Sequence, residues 1–429
     1  MATAADSRLS RGRKHNTSGS TDVAGRAPAA PDKTVHSGDA AASKKKKRRQ
    51  PGLRIADGNM DMLFFVIIVV MLVYGLIMVF SASYIEGLMS ESHDGYAFVR
   101  TQGVAAIIGV LLMIFISFFD YHILMNSRVV MIGYFGMLGL MYYTAFFGND
   151  VHGAKRWINI GSTSFQPSEA MKPVLVVVVA FLLIKYLPKD ISPTKKFIPL
   201  LVVMAPVCAA MVLQRHISGL LIMCALFACV VVVSGMPWKD IFRLGAILAV
   251  FALVAAVIFS VSRGGGLSYI FDRIASMSSV EDGEINDDTW QTAQSLIAIG
   301  SGGWFGLGFG ESRQKYFWLP ESQNDFIISI IVEELGYLGG LTVLILFGLL
   351  VYRGFRIARK APDKFGMLIT TGLVFQMGFQ ALLNIGVACN AFPNTGVSLP
   401  FFSAGGTALV VQLAQMGVVL GVSRQCEDL

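Results

Sequence analysis

Glu321 and Asp325 stand four residues apart in Leu319-Pro320-Glu321-Ser322-Gln323-Asn324-Asp325-Phe326, just ahead of a long apolar run. Carboxylates at a bilayer edge are scarce unless they are paired, face water or do chemistry. On a helix starting near Glu321 the two would share a face, at i and i+4. On a helix starting later, Asp325 would sit at its first turn, where the dipole favours an anion. Spacing leaves three roles open: a helix cap, a general base for a hydroxyl proton, or a ligand pair for a divalent cation. A second acidic pair, Glu333-Glu334, lies about two turns further on, so at least one of them must meet the bundle, water or a basic partner.

Other polar segments accompany this one. His152-Gly153-Ala154-Lys155-Arg156-Trp157-Ile158 precedes Phe165-Gln166-Pro167-Ser168-Glu169 and Lys172. A basic pair beside an indole suits an anionic headgroup, the cations binding phosphate and Trp157 sitting at the interface. A local ion pair with an interfacial anchor is the plainer alternative. Pro167 and Ser168 mark a helix entry, and Glu169 and Lys172 can share one helix face. Arg215-His216 reads as a turn whose histidine is more a polar turn residue than a catalyst. Trp290 to Ile299 is amphipathic and too short to span, which suits a helix on or dipping into the membrane. Gly300 to Gly310 is glycine-rich, but it lacks the Gly-Lys-Ser/Thr ending and the strand context of a nucleotide loop. Irregular backbone against a bound lipid is the expectation there. Pro393 to Thr407 carries two prolines and several glycines, and should form an irregular loop entering a span; it offers no strong nucleophile or base.

The elements that must position these residues are apolar helices. The chain has 429 residues, 54% hydrophobic and only 15% charged, too little charge to cover a soluble domain of that size. Apolar runs long enough to span recur at 60–83, 98–119, 128–147, 170–187, 195–213, 217–235, 240–261, 325–352, 365–388 and 403–423. The predicted fold is therefore an all-α polytopic membrane protein of about ten transmembrane helices. Barrel-type alternation is absent. A large extracellular loop, 262–324, separates helices seven and eight; its stretch from Asp272 to Thr289 is acidic and without apolar periodicity. The five cysteines form no metal-type pair and look like small core residues. No cleavable signal peptide is expected, because the first apolar run starts late and is too long.

The net charge of +7 is unevenly placed: up to Asp57 there are 13 Lys and Arg against 5 Asp and Glu. Residues 1–58 read as a disordered basic cytoplasmic tail that fixes topology and lies on anionic lipid. The connections from Lys185 to Lys196 and from Tyr352 to Lys364 are basic and fall on the same side as the tail. So do residues 425–429, which makes both termini cytoplasmic. The polar segments then collect on the outer face, within the ten-helix domain of residues 59–424. Nucleic-acid binding does not suit a tail tethered to a membrane.

Several of these motifs, in fixed order from the first span to the tenth, resemble the SEDS family, which includes FtsW, RodA and SpoVE. They are Lys155-Arg156-Trp157, Gln166-Pro167-Ser168-Glu169 with Lys172, Gln294 to Gly303, Leu319-Pro320-Glu321 with Asp325-Phe326, Glu333-Glu334-Leu335-Gly336, and Leu399-Pro400-Phe401-Phe402-Ser403 with Gly405-Gly406. Asn324-Asp325 and Pro393-Asn394-Thr395-Gly396 look more like a Gram-positive-type FtsW or SpoVE than RodA. The resemblance implies a peptidoglycan glycosyltransferase that polymerises lipid II at the outer face of the plasma membrane, at the division septum. It implies a class B penicillin-binding protein and other divisome proteins as partners. An undecaprenyl-pyrophosphate-linked glycan would be the donor and membrane lipids the surroundings. The family's essential aspartate falls on Asp325. Lys155, Arg156, Trp157, Glu169, Lys172, Glu321 and Ser403 are the substrate-binding candidates. A divalent cation, Mg²⁺ or Mn²⁺, is the one cofactor class admitted, with Asp325 and Glu321 as its ligands; no organic cofactor is expected. A lipid II flippase and a RodA-type elongation polymerase are the alternatives. Two departures stand out: Gln214-Arg215-His216 replaces a common Gln-Pro-Asp, and Ala404 replaces a tyrosine before Gly405-Gly406.

Overall fold

The computed structural model describes residues 56, 58–90, 93–151, 154–160, 163–186, 193–263, 289–394 and 396–426. The rest of the basic tail, His152-Gly153, the acidic stretch up to residue 288, Thr395 and residues 427–429 lie outside the described residues.

Among the described residues, eleven α-helices follow one another: α1 (Met62–Met89), α2 (Ala97–Ser117), α3 (Ser127–Phe147), α4 (Pro167–Tyr186), α5 (Pro193–Leu213), α6 (Ile217–Val233), α7 (Trp238–Arg263), α8 (Trp290–Ser301), α9 (Ile327–Lys360), α10 (Lys364–Ala388) and α11 (Gly406–Ser423). A helix covers each of the ten expected spans. Seven of them (α1, α2, α3, α4, α9, α10 and α11) are long and apolar enough to cross a membrane, and α5 and α6 contain shorter apolar helices. The outward faces are apolar too: Ile107, Leu111 and Phe115 of α2 are all more than half exposed. In water such a stripe would drive association, but hydrocarbon solvates it without cost.

Two connections differ from the expected loops. Asn149 to Phe165 forms a three-stranded antiparallel sheet of β1 (Asn149–Val151), β2 (Ala154–Ile160) and β3 (Thr163–Phe165), with Asn149 opposite Trp157 and Ile158 opposite Phe165. Thr407 of α11 donates to the Ser164 carbonyl at 2.8 Å, holding the sheet to the bundle. The basic stretch after Tyr352 is mostly helix. α9 runs on to Lys360, because arginine and lysine are good helix formers and favour the negative end of the dipole. Asp363 then caps α10, accepting from the Gly366 amide at 2.6 Å.

The short helix α8 does not rest on its apolar side. Its buried residues are Thr292, Ala293, Gln294, Ser295 and Ala298, while Ile297 faces out. Ser295 shares a 2.7 Å hydrogen bond with Ser329 of α9 and donates to the Ala388 carbonyl at 2.8 Å. α8 is thus a wedge between α9 and the end of α10.

Candidate active site

Asp325 closes a turn ahead of α9. The Asn324 amide donates to the Glu321 carbonyl at 3.0 Å, Glu321 has φ 55°, and Phe326 is the N-cap. Of the two placements open to the sequence, the later helix start is the observed one. Glu321 and Asp325 therefore share a turn rather than a helix face, and the Asn324 side chain donates to Glu321 Oε2 at 2.6 Å.

Three elements hold this turn. Asn384 of α10 donates from Nδ2 to the carbonyls of Asp325 and Val397, each at 2.7 Å. Ser403 donates to the Asn324 carbonyl at 2.6 Å and accepts from the Leu399 amide at 2.7 Å. The Ala404 amide donates to the Gln323 carbonyl at 2.9 Å. Gln102 of α2 braces the same loop through the Ser403 carbonyl and the Gly405 amide, at 3.1 and 3.0 Å. Ser403, a substrate-binding candidate from the sequence, positions the turn through these bonds.

Gly396 lies against Asp325 and Arg156. Its φ is +62°, and a Cβ built on it would lie 3.2 Å from Asp325 Oδ2 and 3.9 Å from Arg156 Nη1. Glycine is needed for the backbone and for the approach of both charged groups. Arg156 also donates from Nη2 to the Arg215 carbonyl at 2.8 Å, which ties β2 to the α5–α6 turn. Lys155 lies across a β-bulge from Trp157, Asp150 pairing with Lys155 and Asn149 with Trp157, so that Arg156 between them is the extra residue that the bulge re-aims. Lys155 donates to the Phe146 carbonyl at 3.2 Å, away from Asp325. Trp157 is half-buried. Arg156 alone of the three comes to the aspartate.

Lys172 is the most deeply placed of the expected binding residues, at 1% exposure. Its Nζ donates to Glu169 Oε1 at 2.6 Å and to Gln380 Oε1 at 2.8 Å. Gln380 donates in turn to the Ser398 carbonyl at 3.0 Å, linking α4, α10 and the loop that contains Gly396.

The electrostatics separate Asp325 from ordinary carboxylates. Burial, and then the charge of Glu321, push it up to about 7, against the pull of Arg156. A base poised near neutrality is suited to taking a hydroxyl proton. His216 moves the other way: burial, then Arg156 and Lys172, hold its imidazole well below the usual value. Among the described residues no three His, Cys, Asp or Glu side chains gather to hold a metal. Glu321 and Asp325 remain a carboxylate pair of the kind that binds Mg²⁺ together with water and phosphate oxygens.

Glu333 and Glu334 have a separate task. α9 breaks at Gly336 (φ 71°, ψ −172°), and the Glu333 and Glu334 carbonyls accept from the Leu307 and Gly308 amides at 2.9 and 3.0 Å. A Cβ on Gly306 would lie 2.1 Å from the Glu334 carbonyl oxygen, so the glycine-rich segment docks backbone to backbone. The Glu333 side chain accepts from Ser312 Oγ and the Arg313 amide; that of Glu334 accepts from Ser81 at 2.7 Å and Lys315 at 2.9 Å. This packing fixes one side of the glycine segment on α9, while Trp304 and Phe305 remain exposed.

Asn384 and Gln380 were not among the residues expected from the sequence. The signal was present: Gln376, Gln380 and Asn384 recur every four residues in α10, a polar stripe inside a span.

Comparison with known proteins agrees with the motifs. Residues 61–428 match the model of the FtsW/RodA/SpoVE family, described as cell cycle proteins. The chain is 36% identical over 367 residues to stage V sporulation protein E of Bacillus subtilis, covering 85% of this chain and 97% of that one. It is 32% identical to a probable peptidoglycan glycosyltransferase FtsW of a Geobacter species, with 85% and 96% covered. Among solved structures it is similar to a chain of a peptidoglycan synthase complex that coordinates polymerization and crosslinking. There the TM-score is 0.65 at 26% identity, over 85% of this chain and 98% of that one. The rod shape determining protein RodA of Thermus thermophilus gives 0.59 at 25% identity, over 85% and 97%.

Proposed function

This chain belongs to the FtsW/RodA/SpoVE family of multi-pass membrane proteins, and from that premise we propose that it is a peptidoglycan glycosyltransferase polymerising lipid II. It works at the outer face of the plasma membrane, with both termini cytoplasmic, at the division septum, beside a class B penicillin-binding protein and other divisome proteins. The observation that carries this reading is Asp325, poised near neutrality beside Arg156 and pinned by Asn384.

The acceptor sugar's 4-hydroxyl oxygen attacks the anomeric carbon of the lipid-linked donor, with inversion. The new glycosidic bond forms as the bond to diphosphate breaks, and the diphosphate leaves with the electron pair. Asp325 takes the hydroxyl proton, a step typically worth about 10²–10⁴-fold. Arg156 stabilises the charge that develops on the leaving group. Glu321 and Asp325 are the groups that would hold a divalent cation, which would neutralise diphosphate oxygens. Glu321 otherwise sets the protonation of Asp325. Asn384, Ser403 and Gln102 keep the aspartate in place, and the apolar helix faces accommodate the polyprenyl tails.

A lipid II flippase finds its best support in the broken helix α9, since transporters bind substrate near helix breaks. The acidic groups at that break are occupied by Ser81, Ser312, Arg313 and Lys315, which favours a structural role for them. The test is polymerisation of lipid II by the purified chain with its penicillin-binding partner, in Mg²⁺ or Mn²⁺. Wild type should make glycan strands and Asp325→Asn none. Equal polymer from both removes Asp325 from the mechanism. Lipid II crossing a vesicle bilayer without polymer would favour the flippase.

A further inference from the structure

The turn between α5 and α6 holds a buried group that the reaction above leaves unused. His216 is the N-cap residue of α6, is 5% exposed, and makes no capping bond to the helix it starts. Its Nδ1 has no hydrogen-bond partner among the described residues. The ring lies against the first turn of α6: a Cβ built on Gly219 would be 2.7 Å from both Cε1 and Nδ1. An imidazole nitrogen left unpaired in a buried place calls for an explanation.

The charges around it supply one. Arg156 from β2 and Lys172 from α4 both act on the imidazole. Arg156 bonds the carbonyl of the preceding residue, Arg215, and reaches toward Asp325 at Gly396. Lys172 is partnered by Glu169. Ser168, in the first turn of α4, has a second buried side-chain oxygen without a partner. Two cations, a helix N-terminus and a buried ring N–H are together complementary to phosphate oxygens. A neutral imidazole adds a donor there without adding a third positive charge beside Arg156 and Lys172.

Building on the polymerase reading, we propose that His216 is a phosphate ligand: its Nδ1–H, with Arg156, Lys172 and the N-terminus of α6, holds the diphosphate of the lipid-linked substrate. The site adjoins Asp325 through Arg156, so a diphosphate seated there places the donor's anomeric carbon near the acceptor hydroxyl that Asp325 deprotonates.

The test uses the full purified chain with two readouts: binding of inorganic diphosphate by calorimetry, and KM for lipid II with the partner protein present. His216→Ala should weaken diphosphate binding about tenfold and raise KM similarly, the size expected for one hydrogen bond to a charged group, with kcat little changed. His216→Asn, whose amide can donate from near the Nδ1 position, should restore both; His216→Gln, which reaches further, should not. Melting temperatures of the three variants report whether they fold. Diphosphate affinity that is equal in wild type and all three variants overturns the proposal. So does affinity that falls only in step with melting temperature, or a KM change without a change in diphosphate binding. Wild type that makes no polymer yet binds diphosphate through His216 would sink the polymerase reading and leave the anion site standing. Polymer formation with no dependence on His216 would do the reverse.

Discussion

At the end of the bundle that carries both described termini, His122 lies between two carboxylates, with Nδ1 2.5 Å from Asp120 and Nε2 2.6 Å from Asp363. Tyr121 and the Gly366 amide complete Asp363, and Gln425 completes Asp120. Arg353 bonds Asp61 at 2.7 Å, and Arg424 reaches the Gly58 carbonyl. Burial opposes the His122 imidazolium, yet its bonds to Asp363 and Asp120 raise it above the usual value. Burial likewise opposes both carboxylates, and bonds from Gln425 and His122 to one, and from His122 and Gly366 to the other, lower them. The far end does the opposite. Asp325 is pushed up and His216 down, each toward its neutral form, and polar atoms of Ser168, His216 and Asn384 stay unpartnered. One end uses its charged groups to hold the fold. The other pairs Lys172 with Glu169 but leaves His216 Nδ1 and Ser168 Oγ unsatisfied, at some cost in stability.

That contrast can be broken most sharply by stranding buried carboxylates. Lys172→Met and Arg353→Met leave Glu169 and Asp61 buried without their cations, so each should cost about 3–5 kcal/mol in reversible unfolding. Asp325→Asn removes a carboxylate already held near neutrality, so its melting temperature should stay level or rise while polymerisation falls by at least ~10²-fold. A Lys172→Met protein as stable as wild type would dissolve the distinction between paired and unpaired groups at the site.

Next in size is the pH profile of polymerisation. The base works ionised, so with Asp325 near 7 the rate should fall as pH drops below that value, by about tenfold per unit. Glu321→Gln removes a charge that raises Asp325 and should move the inflection to lower pH. An inflection that stays put would show that Glu321 does not act on the base.

The smallest effect expected is at the opposite end, where His122→Gln should cost about 1 kcal/mol. The histidine is raised, so its contribution is complete below the ordinary imidazole range and fades as pH rises through the higher folded value. The two aspartates are lowered, so theirs is complete above the ordinary carboxylate range and fades as pH falls through the lower folded values. The gap in melting temperature between wild type and variant should therefore be widest in weak acid and narrow on either side. A gap that is flat across pH would make this clasp a matter of packing alone.

Much of the site was legible before the fold. Asp325 and Arg156 stood out as charges that an apolar chain has no cheap reason to carry. The polar stripe of α10 was equally visible in retrospect, being nothing more than helical spacing. The hairpin strands were not, because β2 runs for only seven residues and is interrupted by a bulge. The bulge at Arg156 is what separates it from Lys155, so the composition of the basic pair could not tell which of the two meets the aspartate.

The sequence by itself determined the helical membrane architecture, since runs of apolar residues need hydrocarbon and their backbones need internal hydrogen bonds. It also determined the family, through motifs in fixed order. Only the tertiary structure decided which charges are paired and which are left poised. Asn384 meets Asp325 across 59 residues and Arg156 meets Arg215 across 59. Desolvation and Coulomb interactions depend on those distances in space, which spacing along the chain does not contain.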